Sequence, residues 1–121
     1  MQDDKKKAGK KVLEERKRAF EAKYQQDEEI RFKTRIRASK LVGRWAAAQM
    51  GLNDAETSAY AKDVTELGFS DASGDKTVAK LLADLRTAGK TIDEHKLRTE
   101  ILRLTMQAEE QIMNEILGEN E

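Results

Sequence analysis

Cysteine and proline are absent from the 121 residues, and histidine and tryptophan occur once each. Without cysteine there is no disulfide framework, no thiolate zinc site and no thiol nucleophile. With His95 as the sole histidine, one chain holds neither a His-based dyad nor a histidine pair for a metal; in the first turn of a helix it reads as a surface or capping-region residue. Aromatic residues make up only 5%. No apolar run approaches the ~20 residues that a membrane-spanning helix needs. The basic first residues lack the apolar stretch of a secretory signal, so none is expected. Glycine is scarce, and Gly68, Gly74 and Gly89 stand where helices stop rather than in a phosphate-cradling loop.

What is present is charge. Charged residues are 38% of the chain, 23 basic against 23 acidic. The neutral total hides an asymmetry: residues 1–45 carry 15 Lys/Arg and 8 Asp/Glu, whereas residues 46–121 carry 8 and 15. A basic front and an acidic back suggest an internal pairing or a basic arm for an acidic partner. The length fits one domain, which at this size buries roughly two-thirds of its unfolded surface.

The periodicity is helical throughout, and no segment alternates with period two, so the fold class is all-α. Residues 1–11 are polar and rich in lysine, too poor in apolar area to offset ordering entropy, and are expected to be disordered. From Glu14 to Met50 only Gly43 interrupts good helix formers, which predicts one long helix ended by Gly51. Asn53 and Glu56 have the spacing of a capping box opening a second helix, with Ala55, Ala59, Val64 and Leu67 as its apolar stripe and Gly68 at its end. Phe69 to Gly74 reads as a turn-rich loop. Val78, Leu81, Leu82 and Leu85 give the stripe of a third helix over 75–88. Asp93 as N-cap, with Ile92 and Leu97 as a hydrophobic staple, begins a fourth that runs to about Leu117, before Gly118; Thr91 with Glu94 is a rival box. Leu97, Ile101, Leu104, Ala108, Ile112 and Ile116 line its stripe, which Leu102, Met106, Met113 and Leu117 widen. Four helices with short loops pack most simply as an antiparallel four-helix bundle.

The long helix is not uniform. Ile30, Ala38, Leu41, Val42, Trp45 and Ala48 share an arc of about 120°, and Trp45 there reads as core. Upstream, Leu13, Phe20 and Tyr24 form a thin apolar stripe among charges. Residues 12–28 are therefore expected to project from the bundle, as a helix that is marginal alone and has most to gain from a partner. Lys5 to Arg18 hold eight basic residues against two acids, which fits a polybasic tail for nucleic acid or an anionic membrane surface. No aromatic residue precedes Phe20 there, so single-strand stacking has no platform. Asp71 to Asp75 has a loose likeness to a calcium loop but lacks its alternating ligands and closing Glu.

The ordered set of motifs is more specific: R-x-R-A-F-E-A-K at Arg16–Lys23, Asp27-Glu28-Glu29 before Arg31-Phe32-Lys33, K-L-x-G-x-W-A-A at Lys40–Ala47, then Tyr60-Ala61-Lys62-Asp63-Val64 and Leu85-Arg86-Thr87-Ala88-Gly89. Over residues 13–110 the chain resembles the zeta subunit family of alphaproteobacterial F-type ATP synthases. That resemblance implies a non-enzymatic regulatory protein: a four-helix bundle over 25–121 and a mobile basic N-terminal segment over 1–24. It implies that this segment enters the interface of the alpha and beta subunits beside gamma and blocks rotation in the hydrolysis direction. Leu13, Glu14, Glu15, Arg16, Lys17, Arg18, Ala19, Phe20, Glu21, Lys23 and Tyr24 would form the inhibitory surface. The family is also associated with adenine nucleotide (ADP or ATP) on the bundle, for which Arg37 and Lys40 match its basic positions; no cofactor is required. The place implied is the bacterial cytoplasm, peripheral to the inner membrane through the synthase and without membrane insertion, the free protein being a monomer. The chain departs from the pattern where the family carries Phe followed by two Asp, having Leu13, Glu14 and Glu15, and at Lys17, where an acidic residue is common. The reading from another class is a helical adaptor whose basic arm binds nucleic acid or an anionic membrane.

Overall fold

A computed structural model describes the backbone of residues 2–119; the side chains of residues 2–10, 24, 25 and 119 lie outside the described set. Among the described residues the chain is all-helical, with five helices: α1 (Gln2–Gln26), α2 (Glu28–Gln49), α3 (Asp54–Gly68), α4 (Asp75–Thr87) and α5 (Glu94–Glu119). They fall into two compact units, Met1–Phe32 and Lys33–Glu121.

The single long helix expected over 14–50 is instead two, α1 and α2. The joint is Asp27. Its amide still donates to the Lys23 carbonyl at 2.9 Å and its carbonyl accepts from Arg31 at 3.1 Å. Its carboxylate, however, accepts from the amides of Glu29 at 3.0 Å and Ile30 at 3.2 Å. An Asp that turns its side chain onto the following amides starts a new helix without any glycine or proline. Residues 2–11, expected as disordered or partly helical, lie within the backbone of α1.

In the unit Lys33–Glu121 the core draws on four helices. Val42 and Ala46 from α2, Val64 from α3, Val78 and Leu81 from α4, and Leu97 and Leu104 from α5 form one buried cluster. Trp45, Tyr60 and Ile92 pack against it, partly buried. The central residues of the stripes expected of α4 and α5 bury: Val78, Leu81 and Leu85, then Leu97, Leu104, Ala108 and Ile112. Leu102 and Met106, expected to widen the α5 stripe, are exposed because they lie on the side of the helix opposite Leu104. In α3 the stripe is different. Ala61, Val64 and Thr65 are buried, while Ala55 and Ala59 are exposed. At ~100° per residue Ala55 lies opposite Val64, so the two cannot share a buried face. What turns Ala61 inward is Gly43: a β-carbon there would stand 2.6 Å from the Ala61 Cα. The missing side chain lets the α2 and α3 backbones approach, a reason for glycine inside a helix that its cost in helix propensity otherwise disfavours.

The helix ends follow sequence signals closely. Gly51, at φ 74°, ends α2: Leu52 donates to the Ala47 carbonyl at 3.0 Å and Gly51 to Ala48 at 3.2 Å. Gly89, at φ 80°, ends α4 in the same way, with Lys90 donating to Leu85 at 2.8 Å and Gly89 to Arg86 at 2.9 Å. This paired pattern satisfies the last carbonyls and needs a left-handed residue. Asn53 and Glu56 form the expected reciprocal box at 2.8 and 3.1 Å. Asp93 rather than Thr91 caps α5, accepting from the His95 amide at 2.6 Å. Gly118 does not stop α5, which continues through Glu119.

Candidate functional site

α1 is built to present a face, not to fill a core. Among its described side chains none is buried; Phe20 alone is half-buried. Val12 is 53% and Leu13 58% exposed. At ~100° per residue Leu13 and Phe20 stand within about 20° of each other, with Lys17 on one flank and Arg16 on the other. Lys11, Glu14, Glu15, Arg18, Ala19, Glu21 and Lys23 are all exposed. Tyr24 belongs to α1, and its side chain lies outside the described residues. Glu14 and Arg18 approach to 3.9 Å one turn apart, both exposed. Such a pair contributes ~0–1 kcal/mol, so it shapes the helix surface more than it stabilises the helix. The arrangement offers two adjacent apolar side chains within a basic rim, which suits a surface with an apolar floor and carboxylate walls.

The other candidate pair sits in the second unit. Arg37 and Lys40 are three residues apart on α2, and Lys40 is exposed. The Arg37 guanidinium is engaged by α5: Nη1 donates to Gln111 Oε1 at 2.9 Å, and the Glu115 carboxylate takes both ends of the fork at 2.9 and 3.2 Å. Bidentate pairing is among the stronger ion-pair geometries. Any phosphate arriving here would compete with Glu115 for the fork. Nothing local in the sequence pointed to Gln111 and Glu115, which are more than seventy residues from Arg37.

Two polar clusters brace the same unit. The Tyr60 hydroxyl donates to Asp84 Oδ2 at 2.7 Å; Lys80 Nζ lies 3.0 Å from that oxygen and 5.0 Å above the Tyr60 ring. Burial first, then the hydrogen bond to Asp84 and the charges of Asp84 and Asp63, raise the tyrosine well above its ordinary range. Burial would also raise Asp84, but the hydrogen bonds from Tyr60 and Lys80 and the lysine charge outweigh it and hold the carboxyl low. This triad ties α3 to α4. The lysine–aspartate spacing is visible in the sequence; the tyrosine's part in it is not.

Asp71 is the second. It is buried, and its carboxylate accepts from the Lys76 amide at 3.1 Å and from the amide and hydroxyl of Thr77 at 2.8 and 2.7 Å. Gly74 occupies the N-cap position of α4 without a side chain to offer, and Asp71 supplies the cap from three residues upstream. Burial favours the neutral acid, but the hydrogen bonds from Thr77 and Lys76, with the Lys76 charge, prevail and lower its pKa. The carboxylate that gave the loop its likeness to a calcium site is thus turned onto the helix amides.

A family model described as ATPase inhibitor subunit zeta matches residues 10–111. The chain belongs to that family. No curated protein and no solved structure matches it. The zeta match includes the candidate surface of α1, the Arg37–Lys40 pair, Gly43 with its close partner Ala61, and Gln111 of the clasp on Arg37; Glu115 follows it. No helix among the described residues is long and apolar enough to cross a membrane.

Proposed function

We propose that this zeta-family chain docks on the catalytic head of an F-type ATP synthase and restrains ATP hydrolysis, with α1 as the inserting element. Residues 33–121 then act as a four-helix bundle that stays outside and holds α1 at high local concentration. The observation that carries this reading is the exposed Leu13, flanked by Arg16 and Lys17, on a basic helix inside the family match. An isolated amphipathic helix is marginal in water, and burial of its apolar face on a partner supplies the missing stabilisation. Leu13, Phe20 and Tyr24 would anchor; Arg16, Lys17, Arg18 and Lys23 would pair with carboxylates at the interface of alpha and beta beside gamma. Glu14, Glu15, Ala19 and Glu21 complete the surface. No catalytic step is assigned to the chain. Its place is the bacterial cytoplasm, held at the inner membrane through the synthase.

A regulatory adenine nucleotide at Arg37 and Lys40 is part of the same proposal. It requires phosphate to displace Glu115, so Glu115→Gln should tighten ATP or ADP binding as read by resonance shifts around Arg37 to Trp45. Absence of shifts in both proteins would remove the nucleotide from the proposal.

The test of inhibition is ATP hydrolysis by the cognate synthase head, titrated with the full chain, with a version lacking residues 1–24, and with Leu13→Ala combined with Phe20→Ala. Inhibition by the full chain alone supports insertion of α1. Equal inhibition by the double variant, its helix content intact, refutes it.

A further inference from the structure

α5 has an outward face that neither the core nor the proposed inhibitory surface uses. Leu97, Leu104, Ala108 and Ile112 turn inward, while Leu102 and Met106 are each 60% exposed. At ~100° per residue these two lie within about 40° of each other, on the side away from Leu104. Met113 and Leu117, both half-buried, continue the same line. Single exposed apolar residues are ordinary, but two on successive turns, extended by two more, form a seam.

The charges along this seam are arranged by height. Arg98 and Glu109 share one flank, Arg98 below the Leu102–Met106 pair and Glu109 above it. Thr99 and Glu110 occupy the other flank in the same order. We propose that this face of α5 pairs antiparallel with the same face of a second copy of the chain. In a two-fold antiparallel pair, each flank meets the same flank of the other helix at the opposite height. With the dyad level with residue 104, Leu102 of each copy packs on Met106 of the other, and Arg98 of each faces Glu109 of the other. A parallel pair would instead set Glu109 of each copy against Glu110 of the other. The charge pattern therefore selects a second copy and fixes its direction. Arg98 already binds Asp75 at 3.1 Å and Glu94 at 3.5 Å, but it remains exposed. A guanidinium has five donors, so donors remain for Glu109.

One helix pair along this seam falls below the ~1,200 Å² of a standard interface, so the dimer is weak and forms only in concentrated solution. Sedimentation equilibrium of the full chain from ~10 µM to ~1 mM measures it. A monomer–dimer equilibrium is expected in that range, with Leu102→Glu raising the dissociation constant at least ~10-fold while leaving the melting temperature of this exposed site unchanged. Glu109→Arg should weaken the dimer by opposing two arginines, and Glu109→Arg combined with Arg98→Glu should restore it. Since the chain has no cysteine, mixing L102C with M106C should give the mixed disulfide in preference to either homodimer. A monomer at every concentration overturns the proposal, as does a dimer indifferent to Leu102→Glu. So does a preference for the L102C homodimer, which would mean parallel pairing, or a face that becomes protected only when the ATPase head is added.

Discussion

Gly43 is where the packing of the helical core is most exposed to test. A β-carbon there would stand 2.6 Å from the Ala61 Cα, 3.2 Å from its Cβ and 3.4 Å from its amide nitrogen. The nearest of these is backbone, so no side chain can rotate away; α3 itself must move. Overpacking a core by one methyl costs ~1–3 kcal/mol, and a backbone obstacle belongs at the upper end. Against this, alanine in place of glycine inside a helix gains ~1 kcal/mol. The net expectation for Gly43→Ala is a loss of ~2 kcal/mol, a large share of the ~5–15 kcal/mol that holds a domain together. For a unit of this size that lowers the melting midpoint by roughly 10 °C. The control is Gly118→Ala, also helical but with nothing within 4 Å of the added carbon. It should be neutral or stabilising by up to ~1 kcal/mol. Urea and thermal unfolding followed by circular dichroism measure both. If Gly43→Ala proves as stable as Gly118→Ala, the close approach of α2 and α3 is wrong as described, and so is the account of why α3 buries Ala61.

Asp71→Ala should lose ~2 kcal/mol near neutral pH, because it uncaps α4 and leaves amides unpaired. Since the folded state lowers the Asp71 pKa, its contribution is complete above the ordinary carboxyl range near ~4 and disappears as pH falls through the lowered value. Melting curves of the two proteins should therefore converge in acid; a constant gap down to pH ~2 would contradict the cap. Tyr60→Phe should cost ~1 kcal/mol at neutral pH. The raised tyrosine pKa gives the opposite sign: its contribution is complete below the ordinary value near ~10 and is lost as pH rises through the folded value. Urea midpoints measured across that alkaline range should fall faster for the parent than for Tyr60→Phe, and parallel slopes would count against the Asp84 hydrogen bond.

The features readable from sequence were those whose chemistry is local. Asn53 with Glu56, Gly51, Gly89 and Asp93 act on backbone groups a few residues away, and each does in the structure what its residue type and spacing imply. The inner stripes of α4 and α5 are legible because large aliphatic residues at helical spacing favour one face, but α5 also carries Leu102 and Met106 on its outward side, and spacing alone does not separate these from the core. The face of α3 is only partly legible, because two of its four candidate residues, Ala55 and Ala59, are alanine. Alanine is compatible with either face, and the deciding atom, the absent β-carbon of Gly43, lies on another helix. The break at Asp27 is not legible in the sequence for a different reason. Its hydrogen bonds are local, but the same Asp in a charged helical stretch equally well points into solvent.

The candidate sites divide along the same line. Arg37 was visible as a cation near Trp45, while its partners Gln111 and Glu115 come from the far end of the chain and change what that cation can do. A basic pair that looks available for phosphate is, in the folded unit, half compensated by a carboxylate. For α1 the limit is more basic. Leu13, Phe20 and their basic neighbours form a legible pattern, and the motif at Arg16–Lys23 is part of what relates the chain to zeta subunits. But a helix with an exposed apolar face specifies only half of an interaction; under the proposed function, the geometry that would make it inhibitory belongs to the surface that would bury it. The joint at Asp27 separates those two kinds of information. After it, the chain carries most of its own packing partners; before it, the described side chains are exposed, and the proposed function makes them a ligand rather than part of a core.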